Sequence, residues 1–153
     1  MTDKKELFSF GRFVGKSHIL PARVYFADTD ATGIMYHGRY VEFAERGRSE
    51  YLAAIGFQVG EIIERFGYCW VISEISIKYL VPARGDDLLE IHTSAQSVGA
   101  ASLIMDQQIM RTNPGQPTQL LAQLTVKAAV VDMKSGKPRR FDPEMKARIV
   151  ELV

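Results

Sequence analysis

The segment from Tyr25 to Tyr40, YFADTDATGIMYHGRY, contains residue types at a spacing that could carry out chemistry. Asp28 and Asp30 lie in a turn-forming stretch, and His37 follows at the start of a helical pattern. The N-terminus of a helix has unpaired N–H groups and a partial positive charge, so it can polarise a carbonyl group. A carboxylate beside it could attack the carbonyl carbon or deprotonate a water molecule. The arrangement suggests hydrolysis of an ester or a thioester.

The same residues also have a simpler interpretation. An Asp-Thr-Asp sequence before a helix often only forms a turn and caps the helix, because short polar side chains accept hydrogen bonds from nearby backbone N–H groups. On spacing alone, this interpretation is the stronger of the two.

A long amphipathic helix is predicted directly after the turn. From Gly38 to Ile55, buried-type residues recur at spacings of three, four and seven, which is typical of one helix face. Gly56 is well placed to cap its C-terminus. Gly47 inside the helix costs roughly 1 kcal/mol relative to alanine, so we expect close packing of the helix on a sheet there. A short second helix is predicted over residues 58–66.

Strand patterns with a period of two occupy most of the remaining chain. One predicted strand precedes the long helix and four follow it, over residues 19–27, 71–81, 88–97, 101–112 and 120–132. Asp142 and Pro143 begin a predicted C-terminal helix over residues 142–152. Consecutive strands joined by short loops form an antiparallel sheet, and one long helix can cover a face of it. The predicted class is therefore α+β.

Length and composition indicate one globular domain. The chain has 153 residues, of which 46% are hydrophobic and 24% charged, which favours a single domain over residues 1–153 with its core at about 19–134. A net charge of +1 argues against a nucleic-acid partner. The one cysteine, Cys69, excludes an intrachain disulfide, and beside Trp70 it is predicted to be a small buried hydrophobe.

Targeting segments and metal ligands are absent from the sequence pattern. No window has the apolar length of a signal-peptide core, about 7–15 residues, or of a membrane span, about 18–20 residues. We therefore expect a cytoplasmic protein without a membrane span. The three histidines and one cysteine lack metal-ligand spacing, so neither a metal nor a cofactor is predicted. His18, placed before the first strand, and His92 are predicted to be surface or partly buried residues.

Three segments together resemble the 4-hydroxybenzoyl-CoA thioesterase family, particularly its YbgC-like branch. The first is the D-T-D-A-T-G turn with the strand and helix beside it, the second is FAERGRSEYL at 43–52, and the third is ISIKYLVPARGDDLLEI at 75–91. They occur at matching intervals between about residue 20 and residue 132. The resemblance implies a single hotdog domain, in which a curved antiparallel β-sheet wraps around one long central α-helix. It also implies a homodimer or homotetramer that hydrolyses acyl-CoA or acyl-carrier-protein thioesters at sites in the dimer interface.

The resemblance also implies roles for individual residues. Asp30 matches the catalytic carboxylate, acting as nucleophile or general base, while Asp28 braces the turn. His37 matches the position whose backbone N–H binds the thioester oxygen, and its side chain assists the chemistry. The predicted substrate-binding residues are Gly33, Tyr36 and Gly38.

Several interpretations stay open at this stage. Some relatives hold the CoA phosphates with basic residues in the turn that here is uncharged, at 97–102, so the phosphates would need another site. A basic cluster near the C-terminus could supply it or could be a solvated face: Lys134, Lys137, Arg139 and Arg140. Trp70 and Tyr79 could line an acyl pocket, although core packing is favoured. The alternative functions are an acyl-thioester hydratase or dehydratase and a non-catalytic acyl-thioester-binding protein.

Overall fold

The computed structural model describes residues 10–153, in which the predicted elements occur in the predicted order after one strand that was not predicted, β1. The strands are β1 Arg12–Val14, β2 Ser17–Arg23, β3 Tyr68–Tyr79, β4 Leu88–Val98, β5 Ser102–Arg111 and β6 Gln119–Asp132. The helices are α1 His37–Ala54, α2 Val59–Phe66 and α3 Pro143–Val150. The spacing of Phe8, Phe10 and Phe13 predicts an N-terminal segment that packs, and of these residues Phe8 lies outside the described range.

The six strands form one antiparallel sheet in the order β1-β2-β4-β5-β6-β3. Helix α1 packs against β2, β4 and β5, near the middle of this sheet. One core cluster lies under the first half of α1, and a second lies under its C-terminal end together with α2 and α3. The predicted α+β class is therefore confirmed, and a single domain over the whole chain stays a prediction.

The strands β6 and β3 differ in how well the alternating pattern holds. In β6, every second residue from Ala122 to Val130 is buried, as predicted. In β3, the sequence pattern predicts that Val71 shares a face with Ile75 and Ile77, but Val71 is 40% exposed and lies on the other face. A shift in the β3–β6 register between Ile72 and Glu74 inserts an extra residue. Such an irregularity moves the following side chains to the other face of the strand.

The strand predicted over residues 19–27 is shifted towards the N-terminus. It begins at Ser17 and ends at Arg23, because a 3-10 turn over Phe26–Asp28 bends the chain before α1. This shift brings His18 into β2, where it is fully buried, so the prediction of a surface or partly buried histidine is wrong. The β1 hairpin is the physical reason, since the Phe13 ring lies 5.3 Å from the His18 ring and covers it.

Gly47 lies where α1 crosses the sheet most closely. A β-carbon at this position would stand 2.6 Å from Ile91 Cγ2 and 2.8 Å from Thr93 Oγ1, both on β4. Because real side chains do not approach to such distances, only glycine permits this helix-to-sheet separation. The close packing predicted from the sequence is confirmed.

We expect Gly47→Ala to lower the free energy of unfolding by about 1–3 kcal/mol through overpacking, even though alanine is the better helix former. Gly60→Ala, on α2, is the matched control because a β-carbon added there would meet no other atom within 4 Å. We expect this control to be neutral or stabilising by up to about 1 kcal/mol. Urea unfolding of both variants measures the difference, and a stabilised Gly47→Ala protein would contradict the packing argument.

Burial lowers the pKa of His18, against opposing contributions from the Phe10 backbone and the Glu50 charge. The unfolded chain therefore binds a proton at His18 more tightly than the folded protein does. It follows that the free energy of unfolding decreases as the pH falls through about 6.5, the ordinary histidine value. Replacing the buried imidazole in His18→Phe should remove this part of the pH dependence. Unfolding curves of both proteins between pH 5 and 8 test it, and a His18→Phe protein with the wild-type slope would contradict it.

Candidate active site

The turn between β2 and α1 is held closed around Asp28. The Tyr25 N–H donates to Asp28 Oδ2 at 2.8 Å, and the Tyr36 N–H donates to the Asp28 carbonyl oxygen at 2.9 Å. Arg39, in the first turn of α1, places its Nε 3.7 Å from Asp28 Oδ1. These contacts tie the beginning of the turn to the beginning of the helix, which matches the bracing role that the resemblance implies for Asp28.

Asp30 lies at the exposed tip of this turn. The Thr32 backbone N–H donates to Asp30 Oδ1 at 2.8 Å, and the Thr32 hydroxyl donates to the same oxygen. The two bonds from Thr32, aided by His37, hold the pKa of the Asp30 carboxyl below its ordinary value. Within residues 10–153, Asp30 Oδ2 has no hydrogen-bond partner. Asp30 is thus an ionised carboxylate with one oxygen available to a ligand.

Helix α1 begins at His37 with unpaired donors. Among the described residues, no acceptor pairs with the backbone N–H of His37 or of Gly38, as expected in the first turn of a helix. The Tyr79 hydroxyl donates to the His37 carbonyl oxygen at 2.9 Å and so holds the helix start against β3. The start of α1 can therefore donate hydrogen bonds to a partial negative charge.

The predicted substrate-binding residues surround this helix start. The Tyr36 ring lies 4.4 Å from the His37 ring, and a β-carbon on Gly38 would come within 2.7 Å of the Tyr36 ring. Gly38 therefore leaves room for the tyrosine ring over the first helical turn. Gly33 adopts φ +78°, a left-handed conformation that favours glycine, and lies between Asp30 and the helix.

The side chains of Asp30 and His37 line two different pockets of the chain. Asp30 and Gly33 line an open pocket of about 310 Å³ together with Asp86. His37 and Tyr79 line another of about 350 Å³. In the part of the chain that the structure describes, neither of these pockets contains both side chains. A substrate that contacts both Asp30 and His37 must therefore extend across the loop that carries these two residues.

The segment on the far side of these pockets is fixed by a buried aspartate that the sequence analysis missed. Asp87 accepts hydrogen bonds from the Arg84 N–H at 2.8 Å, the Asn113 amide at 2.9 Å and the Arg111 guanidinium at 3.1 Å. Burial opposes ionisation, but these donors hold the pKa of Asp87 below its ordinary value. The sequence signal for Asp87 was the pair Asp86-Asp87 after P-A-R-G. The resemblance includes this pair but assigns no role to either residue.

Tyr40 is a second positioning residue that the sequence analysis missed. Its buried hydroxyl accepts a hydrogen bond from the Ala83 N–H at 2.9 Å, and Met35 N–H donates to the Ala83 carbonyl at 2.8 Å. Ala83 therefore links α1 to the residues before the helix. Helical spacing places Tyr40 on the buried face, but the hydroxyl partner comes from a loop about forty residues away in sequence.

Other residues singled out from the sequence have mixed outcomes. Trp70 is partly buried, packs 4.8 Å from Phe141 and also lines a pocket. Tyr79 is half exposed, so core packing was the wrong interpretation for it. Arg139 donates to the Phe66 carbonyl at 2.6 Å, which occupies one member of the basic cluster. Cys69 is partly rather than fully buried.

Two further features concern cofactors and membranes. Within residues 10–153, no group of three or more histidine, cysteine, aspartate or glutamate side chains is arranged to hold a metal ion. No helix in that same range is both long and apolar enough to cross a membrane.

Comparison with known proteins gives consistent matches. The model of the thioesterase-like superfamily matches residues 24–149. Acyl-CoA thioesterase YbgC of Haemophilus influenzae is 40% identical over 132 residues, covering 86% of this chain and 93% of the relative. A probable thioesterase from Bartonella henselae is 37% identical with a TM-score of 0.74, covering 82% of this chain and 99% of that structure.

A more distant solved structure supports the fold. A 1,4-dihydroxy-2-naphthoyl-CoA thioesterase from Synechocystis has a TM-score of 0.80 at 20% identity and covers 89% of this chain and 97% of its own. The resemblance to the 4-hydroxybenzoyl-CoA thioesterase family and the predicted hotdog architecture are both confirmed. The chain belongs to the thioesterase-like superfamily and is a thioester hydrolase of the hotdog fold.

Proposed function

We propose that the protein hydrolyses acyl-CoA thioesters to a free acid and CoA, with Asp30 as the catalytic carboxylate. One observation carries the proposal, namely an ionised Asp30 with a free oxygen on the turn that leads into the unpaired N–H groups of α1. The Haemophilus influenzae relative is named an acyl-CoA thioesterase, which supports CoA as the carrier. A cytoplasmic location stays a prediction.

The chemistry follows from where charge develops. The thioester carbonyl oxygen accepts a hydrogen bond from the His37 N–H, which stabilises the negative charge that this oxygen gains. Asp30 then attacks the carbonyl carbon, expels the CoA thiolate and forms an anhydride that water hydrolyses. Alternatively, Asp30 takes a proton from the water that attacks. Either route consumes one water and yields the carboxylic acid and the CoA thiol.

The remaining site residues have supporting roles in this proposal. The His37 side chain lies close enough to influence the Asp30 carboxylate and assists proton transfer near it. Gly33 lets the substrate approach the turn because its position has no side chain. Tyr36 and Gly38 form the surface over the first turn of α1 against which the thioester lies.

We also propose that the active form is a homodimer joined through β3. This strand is an edge of the sheet, and exposed apolar residues on it or directly after it include Val71, Ile72 and Leu80. An unprotected edge with apolar side chains is a template for pairing with another strand. Pairing β3 with its copy about a two-fold axis closes that edge. A further association to a homotetramer is compatible with this arrangement.

Asp30→Asn should reduce hydrolysis of acyl-CoA by roughly 10²–10⁴-fold, because the amide neither attacks the carbonyl nor accepts the proton from water. Asp86→Asn is the matched control, since Asp86 is an exposed aspartate in the same pocket and asparagine tolerates its positive φ. Release of free thiol from a panel of acyl-CoAs gives the rates. Near-normal turnover by a folded Asp30→Asn protein would refute the assignment.

The same panel separates the alternative functions. A hydratase or dehydratase would change the enoyl absorbance without releasing thiol. A non-catalytic binding protein would give neither signal while still binding the acyl-CoA.

The dimer is tested by placing a charge on one sheet edge at a time. Val71→Glu buries a carboxylate in the proposed interface, so we expect monomers at concentrations where the wild type is dimeric, together with a loss of activity. Val14→Glu, on the opposite edge strand, is the control because this valine is also exposed. Light scattering after size exclusion measures the mass. A monomeric wild type, or a dimer that only Val14→Glu disrupts, would show that β3 is not the interface.

A further inference from the structure

The Tyr79 hydroxyl adds a second hydrogen bond to a carbonyl group that helix α1 already pairs. Tyr79 is the last residue of β3, and its hydroxyl donates to the His37 carbonyl oxygen at 2.9 Å. His37 is the first residue of α1, so in the regular helical pattern its carbonyl accepts the N–H four residues later. The Tyr79 side chain is 47% exposed, so water could satisfy its hydroxyl equally well. The need to pair buried polar groups therefore does not account for this bond.

This bond acts on a peptide group that faces the proposed catalytic site. The His37 carbonyl and the Gly38 N–H belong to one planar peptide unit. Like the His37 N–H, the Gly38 N–H has no acceptor among residues 10–153. A hydrogen bond to the carbonyl oxygen fixes the peptide plane and polarises the unit, because hydrogen bonds in series strengthen one another. The Tyr79 hydroxyl therefore aligns the Gly38 N–H and makes it a stronger donor.

The position of the Tyr79 hydroxyl is fixed by its ring and by its strand. The ring lies edge-on to the Tyr40 ring, with the centroids 5.1 Å apart and an interplanar angle of 89°. Tyr40 is itself fixed, because its hydroxyl accepts the Ala83 N–H at 2.9 Å. The backbone of Tyr79 pairs with Ala122 on β6. Since Tyr40 lies in the first turns of α1, the hydroxyl has a preorganised position relative to the start of that helix.

The Tyr79 hydroxyl stays protonated near neutral pH. Burial, with a further contribution from Tyr36, raises the pKa of Tyr79 above its ordinary value of about 10. The phenol is therefore a hydrogen-bond donor under assay conditions. Tyr79 and His37 line the same pocket of about 350 Å³, so the bond lies beside the space that a thioester carbonyl can enter.

We propose that Tyr79 is a positioning residue for thioester hydrolysis, and that the Gly38 N–H is a second donor to the thioester oxygen beside the His37 N–H. Tyr79 acts through the His37–Gly38 peptide and does not touch the reacting atoms. The inference rests on the proposed hydrolysis at Asp30. A donor aligned in this way binds the oxygen more strongly as its negative charge grows, so it stabilises the transition state more than the bound substrate.

Tyr79→Phe tests the role of the hydroxyl, because phenylalanine retains the ring that packs against Tyr40. We expect kcat for acyl-CoA hydrolysis to fall roughly tenfold and KM to stay within about twofold, as for an interaction made mainly in the transition state. The loss is smaller than the roughly 10²–10³-fold effect of deleting an oxyanion donor, since the Gly38 N–H remains but is less well aligned. Thiol release gives both constants, at concentrations where light scattering gives the wild-type mass.

Tyr68→Phe is the matched control at the other end of β3. The Tyr68 hydroxyl also contacts the backbone, accepting the Asp142 N–H at 3.3 Å, but it lies against α3 rather than at the start of α1. We expect this variant to be less stable and to keep kcat within about twofold. A Tyr79→Phe protein with the wild-type kcat, or with its defect confined to KM, would contradict the inference. An equal fall in kcat for Tyr68→Phe would also contradict it, because it would show a general structural effect.

The polarisation of the substrate carbonyl is a readout that a purely structural role would not change. An acyl-CoA isotopically labelled at the thioester carbonyl is bound to Asp30→Asn and to the Asp30→Asn/Tyr79→Phe double variant, and the infrared band of the carbonyl is recorded. Hydrogen bonds to a carbonyl oxygen lower its stretching frequency. We expect a lowered frequency in the single variant and a smaller shift in the double variant. Identical bands in the two proteins would exclude the proposed action of Tyr79.

Failure of this inference and failure of the proposed function give different results. Rapid hydrolysis by a folded Asp30→Asn protein would overturn the proposed function. Slow hydrolysis by Asp30→Asn together with a wild-type kcat for Tyr79→Phe would overturn the role of Tyr79 alone.

Discussion

The hydrogen bond from the Tyr36 N–H to the Asp28 carbonyl closes the turn before α1, and the position of every proposed catalytic group depends on it. This bond joins the last residue before the helix to the residue two positions before Asp30. The carboxylate and the helix start are therefore parts of one closed loop and cannot move apart independently. The side chain of Asp28, which accepts from the Tyr25 N–H, makes the same loop resistant to opening.

The closed turn explains why two neighbouring aspartates have different roles. Asp28 uses its oxygens on the Tyr25 N–H and Arg39, so little of its carboxylate is free for a ligand. Asp30 uses one oxygen on Thr32 and keeps the other. Their environments, rather than the residue type, separate a structural carboxylate from a reactive one. The lowered pKa of Asp30 favours the ionised form that both hydrolytic routes require.

Sequence periodicity predicted the parts of the fold in which burial follows a regular repeat. Helix α1 and strand β6 are examples, because one face of each is buried along most of its length. The irregularity in β3 and the burial of His18 could not be predicted, since both depend on a neighbouring strand. The candidate catalytic residues of the turn could be predicted because they are close together in the sequence. The Asp87 network could not be predicted, because it joins residues up to 26 positions apart that meet only in the folded structure.

Close approach of α1 to the sheet links the packing of this helix to a buried hydrogen-bond network. Gly47 allows the helix to come near enough for Gln107 to reach the Ala44 carbonyl, and that bond fixes the amide oxygen that orients Arg48. A side chain at position 47 would push the helix outwards and loosen these contacts together. The helical glycine, unfavourable in isolation, and the buried arginine, costly to desolvate, thus belong to one arrangement.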